Sequence, residues 1–146
     1  MIIKRATPSE AENILRLAGK VMAESSMGYA GNNTQNAINM FLPLLQNGAY
    51  YLLAIENRSL AGWILLGSDF NLLKNEEIGT LLDLYVFSKY RKSGIGRKLM
   101  LAAIQDLQTQ GLKTIQLNVF EGNSAKALYE ELGFRNLSTI MEMKIP

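Results

Sequence analysis

Cysteine and histidine are both absent from this chain. Without cysteine there is no thiol nucleophile, no disulfide framework and no thiolate zinc site. Without histidine the side chain most used as a general base near neutral pH is missing too. Catalysis would fall to carboxylates, tyrosine, serine, lysine, backbone or water, and no metal is expected. Unbroken apolar runs are short of the roughly 20 residues that span a bilayer. Met1 leads directly into Ile2-Ile3-Lys4-Arg5, a strand-like start without a signal-peptide pattern. The expectation is a cytoplasmic protein with no membrane partner. A net charge of +2 is too small to argue for nucleic acid. The 146 residues, 48% hydrophobic and 19% charged, predict a single domain over 1–146 with an ordinary globular core.

Acidic residues are missing from one stretch in particular. Residues 89–98 hold five of the fifteen lysines and arginines and no acid, and the remainder of the chain is net acidic. Cationic character concentrated in one loop suits a phosphate-bearing ligand, although a solvated basic loop has the same composition. Its flanks sharpen the reading. Leu81 to Phe87 is an apolar strand pattern, and Gly94-Ile95-Gly96 opens a long amphipathic helix. A helix N-terminus with free N–H groups, small residues and flanking cations is an anion site whose chemistry suits a pyrophosphate.

Periodicity predicts the rest. Ile2 to Ala6 reads as a strand. Thr7-Pro8-Ser9-Glu10 starts a helix continued by Ile14, Leu15, Ala18 and Val21. Ser25 to Asn33 is a loop, and Asn36 to Gln46 a helix that Pro43 kinks or shortens. Tyr50 to Ile55 and Leu60 to Gly67 form a hairpin about the turn at 56–59. Ser68 to Asn75 reads as a loop and Ile78 to Phe87 as a long buried strand. A helix from Gly96 ends at Gly111, Thr114 to Phe120 is a strand, and Asn123-Ser124 caps a short helix that stops at Gly133. Phe134 to Ile145 is strand-like. The order β-αα-βββ-α-β-α-β predicts an α/β (α+β) fold with a mixed, mostly antiparallel central sheet and about four helices.

The glycine pattern rules out two rivals. A dinucleotide fingerprint needs a third glycine where Leu99 stands, and a P-loop needs Lys-Ser/Thr after Gly96, which is followed by Arg97-Lys98-Leu99. What remains, Arg91-x-x-Gly94-x-Gly96, resembles the acetyl-CoA-binding signature of the Gcn5-related N-acetyltransferases (GNAT), Arg/Gln-x-x-Gly-x-Gly/Ala. Downstream, Leu117-Asn118-Val119-Phe120-Glu121-Gly122-Asn123-Ser124-Ala125-Lys126-Ala127-Leu128-Tyr129, ending in Gly133-Phe134, resembles the second signature of that family. The two occur in order and at matching spacing. Over residues 1–75 the resemblance is topological.

The resemblance implies roles. Backbone groups of Leu84, Tyr85 and Val86 pair with the pantetheine of acetyl-CoA as an added strand would. The N–H groups of Lys92, Ser93, Gly94, Ile95, Gly96 and Arg97 cradle the pyrophosphate, with Arg91, Arg97 or Lys98 beside phosphates. Asn118 and Asn123 lie along the pantetheine, and Lys126 toward the adenosine. Tyr129 matches the family tyrosine beside the thioester sulfur, although a tyrosine on the apolar face of a short helix is also an ordinary core residue. The implied reaction is direct attack of an amine on acetyl-CoA, which the missing cysteine suits. A lysine-like amine costs roughly 4.6 kcal/mol to deprotonate at pH 7 and an α-amine about 1 kcal/mol. Asp83, Glu77 and Glu121 are the candidate bases, Asp83 foremost because it is ionisable within a buried strand.

The region that selects the acceptor in the family, Ser25 to Ile55, carries no charged residue here. Met27, Tyr29 and Asn33 are its candidate substrate contacts. Polyamine acetyltransferases resemble the chain at Asp83-Leu84-Tyr85-Val86 but carry Glu where Leu82 stands, so a small neutral amine, an amino acid or a peptide end fits better. A non-catalytic acyl-CoA-binding module and a peptide-interaction domain are the competing classes. The partners expected are acetyl-CoA and an amine acceptor, with room for a homodimer.

Overall fold

The computed structural model describes all residues, Met1–Pro146. Its first helix begins where local chemistry demands. The Thr7 hydroxyl accepts from the Glu10 N–H at 3.2 Å and the Glu10 carboxylate accepts from the Thr7 N–H at 2.9 Å, with Pro8 in the first turn. Helix α1 (Pro8–Lys20) is followed by the single turn α2 (Met22–Ser25) and by α3 (Thr34–Gln46). Pro43 neither shortens nor ends α3: the helix runs on to Gln46, and the proline gives up only the one bond its own N–H would have made.

Five strands form one sheet in sequence order: β1 (Ile2–Arg5), β2 (Tyr50–Glu56), β3 (Ser59–Asn71), β4 (Glu76–Val86) and β5 (Ile115–Leu117). Neighbours are antiparallel except β4 and β5, which are parallel and joined through α4 (Ile95–Thr109). The last helix is α5 (Ala125–Glu131). The architecture is the expected mixed, mostly antiparallel sheet. Counting the single turn α2 makes five helices where about four were predicted.

Strand alternation divides the core. Leu52, Ala54, Ile64, Leu66 and Leu81 pack with Leu99, Met100, Ala103 and Leu107 of α4. Tyr51, Leu53, Trp63 and Leu65 pack on the opposite face with Ile14, Leu15 and Ala18 of α1 and Ala37 and Phe41 of α3. Gly19 lets the two helices meet: a Cβ there would sit 2.4 Å from the Thr34 Cα. Backbone cannot yield as a flexible side chain would, so Gly19→Ala is expected to lower unfolding stability by about 1–3 kcal/mol, read as a drop in denaturation midpoint at constant slope.

Two expectations fail outright and a third in part, since Thr114 to Phe120 is a strand only over Ile115–Leu117, where it pairs with β4. Ser68 to Asn71 is not loop but the end of β3, laddered to Glu76–Gly79, so that only Leu72–Asn75 turns. Pairing with β4 overrides the polar composition that suggested a loop. Phe134 to Ile145, expected as a closing strand, forms none, and no backbone–backbone hydrogen bond involves a residue beyond Phe134. The alternation is present, but a strand exists only through a partner, and the segment has none within its own chain.

Candidate functional site

The site begins where the parallel pair comes apart. β4 and β5 pair only through Gly79–Leu81 and Ile115–Leu117, and β4 then runs on to Val86 alone on that side. The parting coincides with a bulge. Leu65 pairs with Asp83 and Leu66 with Leu81, which leaves Leu82 as the extra residue. The bulge precedes Asp83, so Asp83, Tyr85 and Phe87 share the α1/α3 face, and Leu84 and Val86 turn toward α4. An open edge from Leu82 to Val86 is a template for an extended ligand carrying amide groups.

At the far end of this edge the chain turns through Ser88–Tyr90 into the basic loop. Ser93 does not face outward as a free hydroxyl: it donates to the Tyr90 carbonyl at 2.6 Å and shapes the turn. Lys92 and Gly94 both have positive φ, 63° and 81°, and Gly94 is the N-cap of α4 without a side-chain cap. The first intrahelical acceptor is the Gly94 carbonyl, bonded by the Lys98 N–H at 3.1 Å. The N–H groups of Ile95, Gly96 and Arg97 therefore have no partner, and the first turn holds no acid. An added Cβ at Gly94 would meet nothing within 4 Å, so the space before these donors is open. The group the loop fits is an anion.

The basic side chains divide. Arg91 is engaged elsewhere: its Nε donates to the Val86 carbonyl at 2.8 Å, one terminal nitrogen donates to Glu24 at 3.0 Å, and the guanidinium lies 5.3 Å from the Tyr85 ring centre. Arg97 is paired with Glu131. Lys92 and Lys98 are exposed and in no ion pair, as is Lys89, which lies 5.1 Å from the Tyr90 ring centre. Lys126 is half-buried in the first turn of α5. Asn123 caps that helix, its side-chain oxygen accepting from the Ala125 N–H at 2.9 Å, and Asn118 is exposed just beyond β5.

Tyr129 is 9% exposed and edge-on to Phe134 at 6.2 Å, and its hydroxyl makes no hydrogen bond to another residue. Burial, and then the charge of Asp83, push this hydroxyl above the usual tyrosine range. Asp83 accepts from the Trp63 indole N–H at 2.9 Å, and burial, opposed by that bond and by the Leu84 N–H, raises its carboxyl to about 6. Burial, and then the same carboxylate, push up Tyr51, whose buried hydroxyl is unpartnered. All three groups are thus kept from water, Asp83 and Tyr51 on the α1/α3 face of the sheet and Tyr129 on the α4 face. The other candidate bases are not buried. Glu77 pairs with Phe70 in the β3–β4 ribbon, and Glu121 is exposed in the loop before α5.

The acceptor candidates divide as well. Tyr29 stacks on Phe120 at 5.7 Å and donates to Glu142, and the Met27 methyl would lie 3.7 Å from a Cβ at Gly122, so this loop covers the β5–α5 connection. Asn33 is spent on capping α3, accepting from the Asn36 N–H at 2.9 Å. Glu24, one residue before the uncharged stretch, accepts from the Tyr85 hydroxyl at 2.6 Å as well as from Arg91, and these bonds hold its carboxyl below the usual range. Nothing in the sequence marks Glu24, Trp63, Tyr51 or Glu142. Only the register that sets Trp63 against Tyr85 and Leu65 against Asp83 brings the indole to the carboxylate.

A family model described as the acetyltransferase (GNAT) family matches residues 21–134. The chain is 36% identical over 58 residues, 40% of each protein, to a [ribosomal protein bS18]-alanine N-acetyltransferase of Haemophilus influenzae. It is 40% identical over 68 residues to the protein of the same name in Escherichia coli K12, covering 46% of this chain and 45% of that one. These matches span less than half the length of the curated relatives. The fold is similar to a putative acetyl transferase from Pyrococcus furiosus, with TM-score 0.82, 22% identity and 99% of both chains covered. No helix is long and apolar enough to cross a membrane.

Proposed function

Because the chain belongs to the acetyltransferase (GNAT) family, we propose that it transfers an acetyl group from acetyl-CoA directly to a primary amine of a small molecule or peptide. The observation that carries this reading is the parting of β4 from β5, with unpartnered helix donors at one end of the open edge and the buried Asp83 within it. Leu84 to Val86 would hold the pantetheine along the open edge, and the N–H groups of Ile95 to Arg97, with Lys92 and Lys98, would hold the phosphates. Arg91 acts here as a strut, tying the loop to Val86 and Glu24. The acetyl thioester supplies the electrophile.

The chain's own residues manage two protons. Asp83, at about 6, accepts one from the incoming amine, directly or through water. The Tyr129 hydroxyl donates a hydrogen bond to the sulfur as negative charge builds on it. Burial is the larger cause of the raised Tyr129 hydroxyl, and it persists when Asp83 is protonated, so the tyrosine keeps its proton throughout. A base near 6 matches an α-amine near 7.8 better than a lysine amine near 10.4, and the two bacterial relatives are named for an alanine acceptor. An α-amino group, free or at a peptide end, is therefore the acceptor we favour.

The test is thiol release from acetyl-CoA across a panel of α-amines, lysine side-chain amines and polyamines. Turnover with α-amines well above the rest is expected, and none with any amine would leave a binding module. Asp83 adds a pH signature. The kcat/KM profile is expected to rise through about pH 6, and Asp83→Asn, which keeps an oxygen for the Trp63 N–H, is expected to lose that limb and most of the rate. Stability changes with the opposite sign. The folded carboxyl is raised from 3.8 to about 6, so the native state binds the proton more tightly and wild-type stability falls as pH rises from about 4 to 6. The Asn variant is expected to lack that fall in denaturant titrations at the two ends of the window.

A further inference from the structure

Trp63 is the only tryptophan of the chain, and it is 0% exposed. An indole N–H sealed from water needs an acceptor. The one it has is Oδ2 of Asp83, at 2.9 Å. The sheet makes this bond a diagonal one. Trp63 lies opposite Tyr85 across β3 and β4, and Leu65 lies opposite Asp83. The indole therefore reaches one rung sideways, a span of about 7–8 Å that only a large side chain covers. The ring has little freedom to let go. It lies 5.1 Å from the Tyr85 ring and edge-on to Phe87 at 5.7 Å. Tyr85 is itself tied down, its hydroxyl donating to Glu24 at 2.6 Å.

An indole donates and never accepts, so its hold on the carboxylate has a direction. No other side chain bonds Asp83, and its one further donor is the Leu84 backbone N–H. The titratable groups around it are few. On its own face stand the hydroxyls of Tyr51, opposite Leu65 on β2, and of Tyr85, with Glu24 and Arg91 beyond Tyr85. Helices α1 and α3 cover this face with apolar side chains, Ile14, Leu15 and Phe41 among them, and Tyr129 lies on the other face of the sheet. An oxygen that already accepts a hydrogen bond is the less basic of a carboxylate pair. We infer that Trp63 is a positioning residue for acetyl transfer: its N–H fixes the Asp83 carboxylate by Oδ2 and so directs the acceptor's proton to Oδ1. This role rests on Asp83 being the base. One proton leaves the acceptor's ammonium nitrogen for Oδ1, giving a neutral amine with a free lone pair and a neutral carboxyl still held by the indole. The same bond opposes burial in setting where Asp83 titrates, so Trp63 tunes the base as well as aiming it.

One tryptophan gives one indole N–H signal, which makes the bond directly observable by NMR. In the wild-type protein without substrate, that signal is expected to move with pH about a midpoint of about 6, following Asp83, and to stay still in Asp83→Asn. An indole signal that does not titrate in the wild type would overturn the role of Trp63 while leaving Asp83 free to act as base. Trp63→Phe keeps a ring against Tyr85 and loses the donor. Its Asp83 carboxyl, followed by carbon NMR, is expected to titrate at about 7–8, because a hydrogen bond to the charged form is gone. The acid limb of kcat/KM is expected to move with it, at unchanged Kd for acetyl-CoA. Tyr51→Phe strips an unpartnered hydroxyl from the same face and is expected to leave the carboxyl at about 6. Equal movement in the two variants, or none in a folded Trp63→Phe, would overturn the positioning role. A carboxyl that moves while the rate limb stays would remove Asp83 as the base, and with it any part for Trp63 in the transfer.

Discussion

Tyr129→Phe is expected to lower kcat by about a hundredfold or more while leaving the Kd for acetyl-CoA near that of the wild type. The ring keeps its edge-on contact with Phe134 and its place against the α4 face of the core. The lost hydroxyl makes no hydrogen bond to another residue in the free protein, so little folding stability goes with it. What is lost is a donor needed only when charge develops on sulfur. The direction of the Tyr129 shift decides between two roles for this donor. A tyrosine held above its ordinary value near 10 is a poor proton donor to a thiolate whose acid titrates near 8.5. It is, however, reliably protonated and able to hydrogen-bond at any physiological pH. The variant is therefore expected to be slow at all pH values, without a new alkaline limb, as single-turnover thiol release would read. Full activity in a folded Tyr129→Phe would make the tyrosine structural and leave the thiolate to water or to the acceptor's own proton.

How far such a site is legible before folding depends on whether its parts are local. The anion loop is local: a strand, a basic turn and two glycines at a helix start occupy consecutive residues, so composition and spacing suffice. The helix caps at Thr7 and Asn123 are local in the same way. Asp83 is half legible. Its place in a buried strand marks it as needing a partner, but that partner, Trp63, is 20 residues away and arrives only through the β3–β4 register. The bulge that decides which face Asp83 takes is one unpaired residue, Leu82, in an unbroken apolar run. Glu24 meets Tyr85 and Arg91 across more than 60 residues, and no local pattern encodes it. The two misread segments fail for the same reason. Ser68–Asn71 gains a partner strand and Phe134–Ile145 lacks one, and whether a partner is present is a tertiary fact, not a propensity.

The loop's role can be separated from its folding at Gly96 but not at Gly94. Gly94 has φ 81°, so any side chain there is strained and a loss of binding would be ambiguous. Gly96 lies inside the first turn of α4, and a Cβ there would meet Leu128 and Val86 at 3.9 Å, ordinary contact. Gly96→Asp also places an acid near a helix N-terminus that has none, where it can accept from the unpartnered N–H groups and is worth about 0.3–1 kcal/mol of stability. The fold is thus expected to hold or gain a little, with Tm unchanged or raised. In the proposed complex, coenzyme A would have to place its phosphates where that carboxylate now sits, against like charge and occupied donors. The expected result by calorimetry is a loss of CoA affinity of at least about tenfold, or 1.4 kcal/mol, with stability moving the other way. Opposite signs in the two measurements cannot arise from a variant that is merely misfolded. Unchanged affinity in a stable Gly96→Asp would move the phosphates off the α4 N-terminus and leave Lys92 and Lys98 as ordinary solvated lysines.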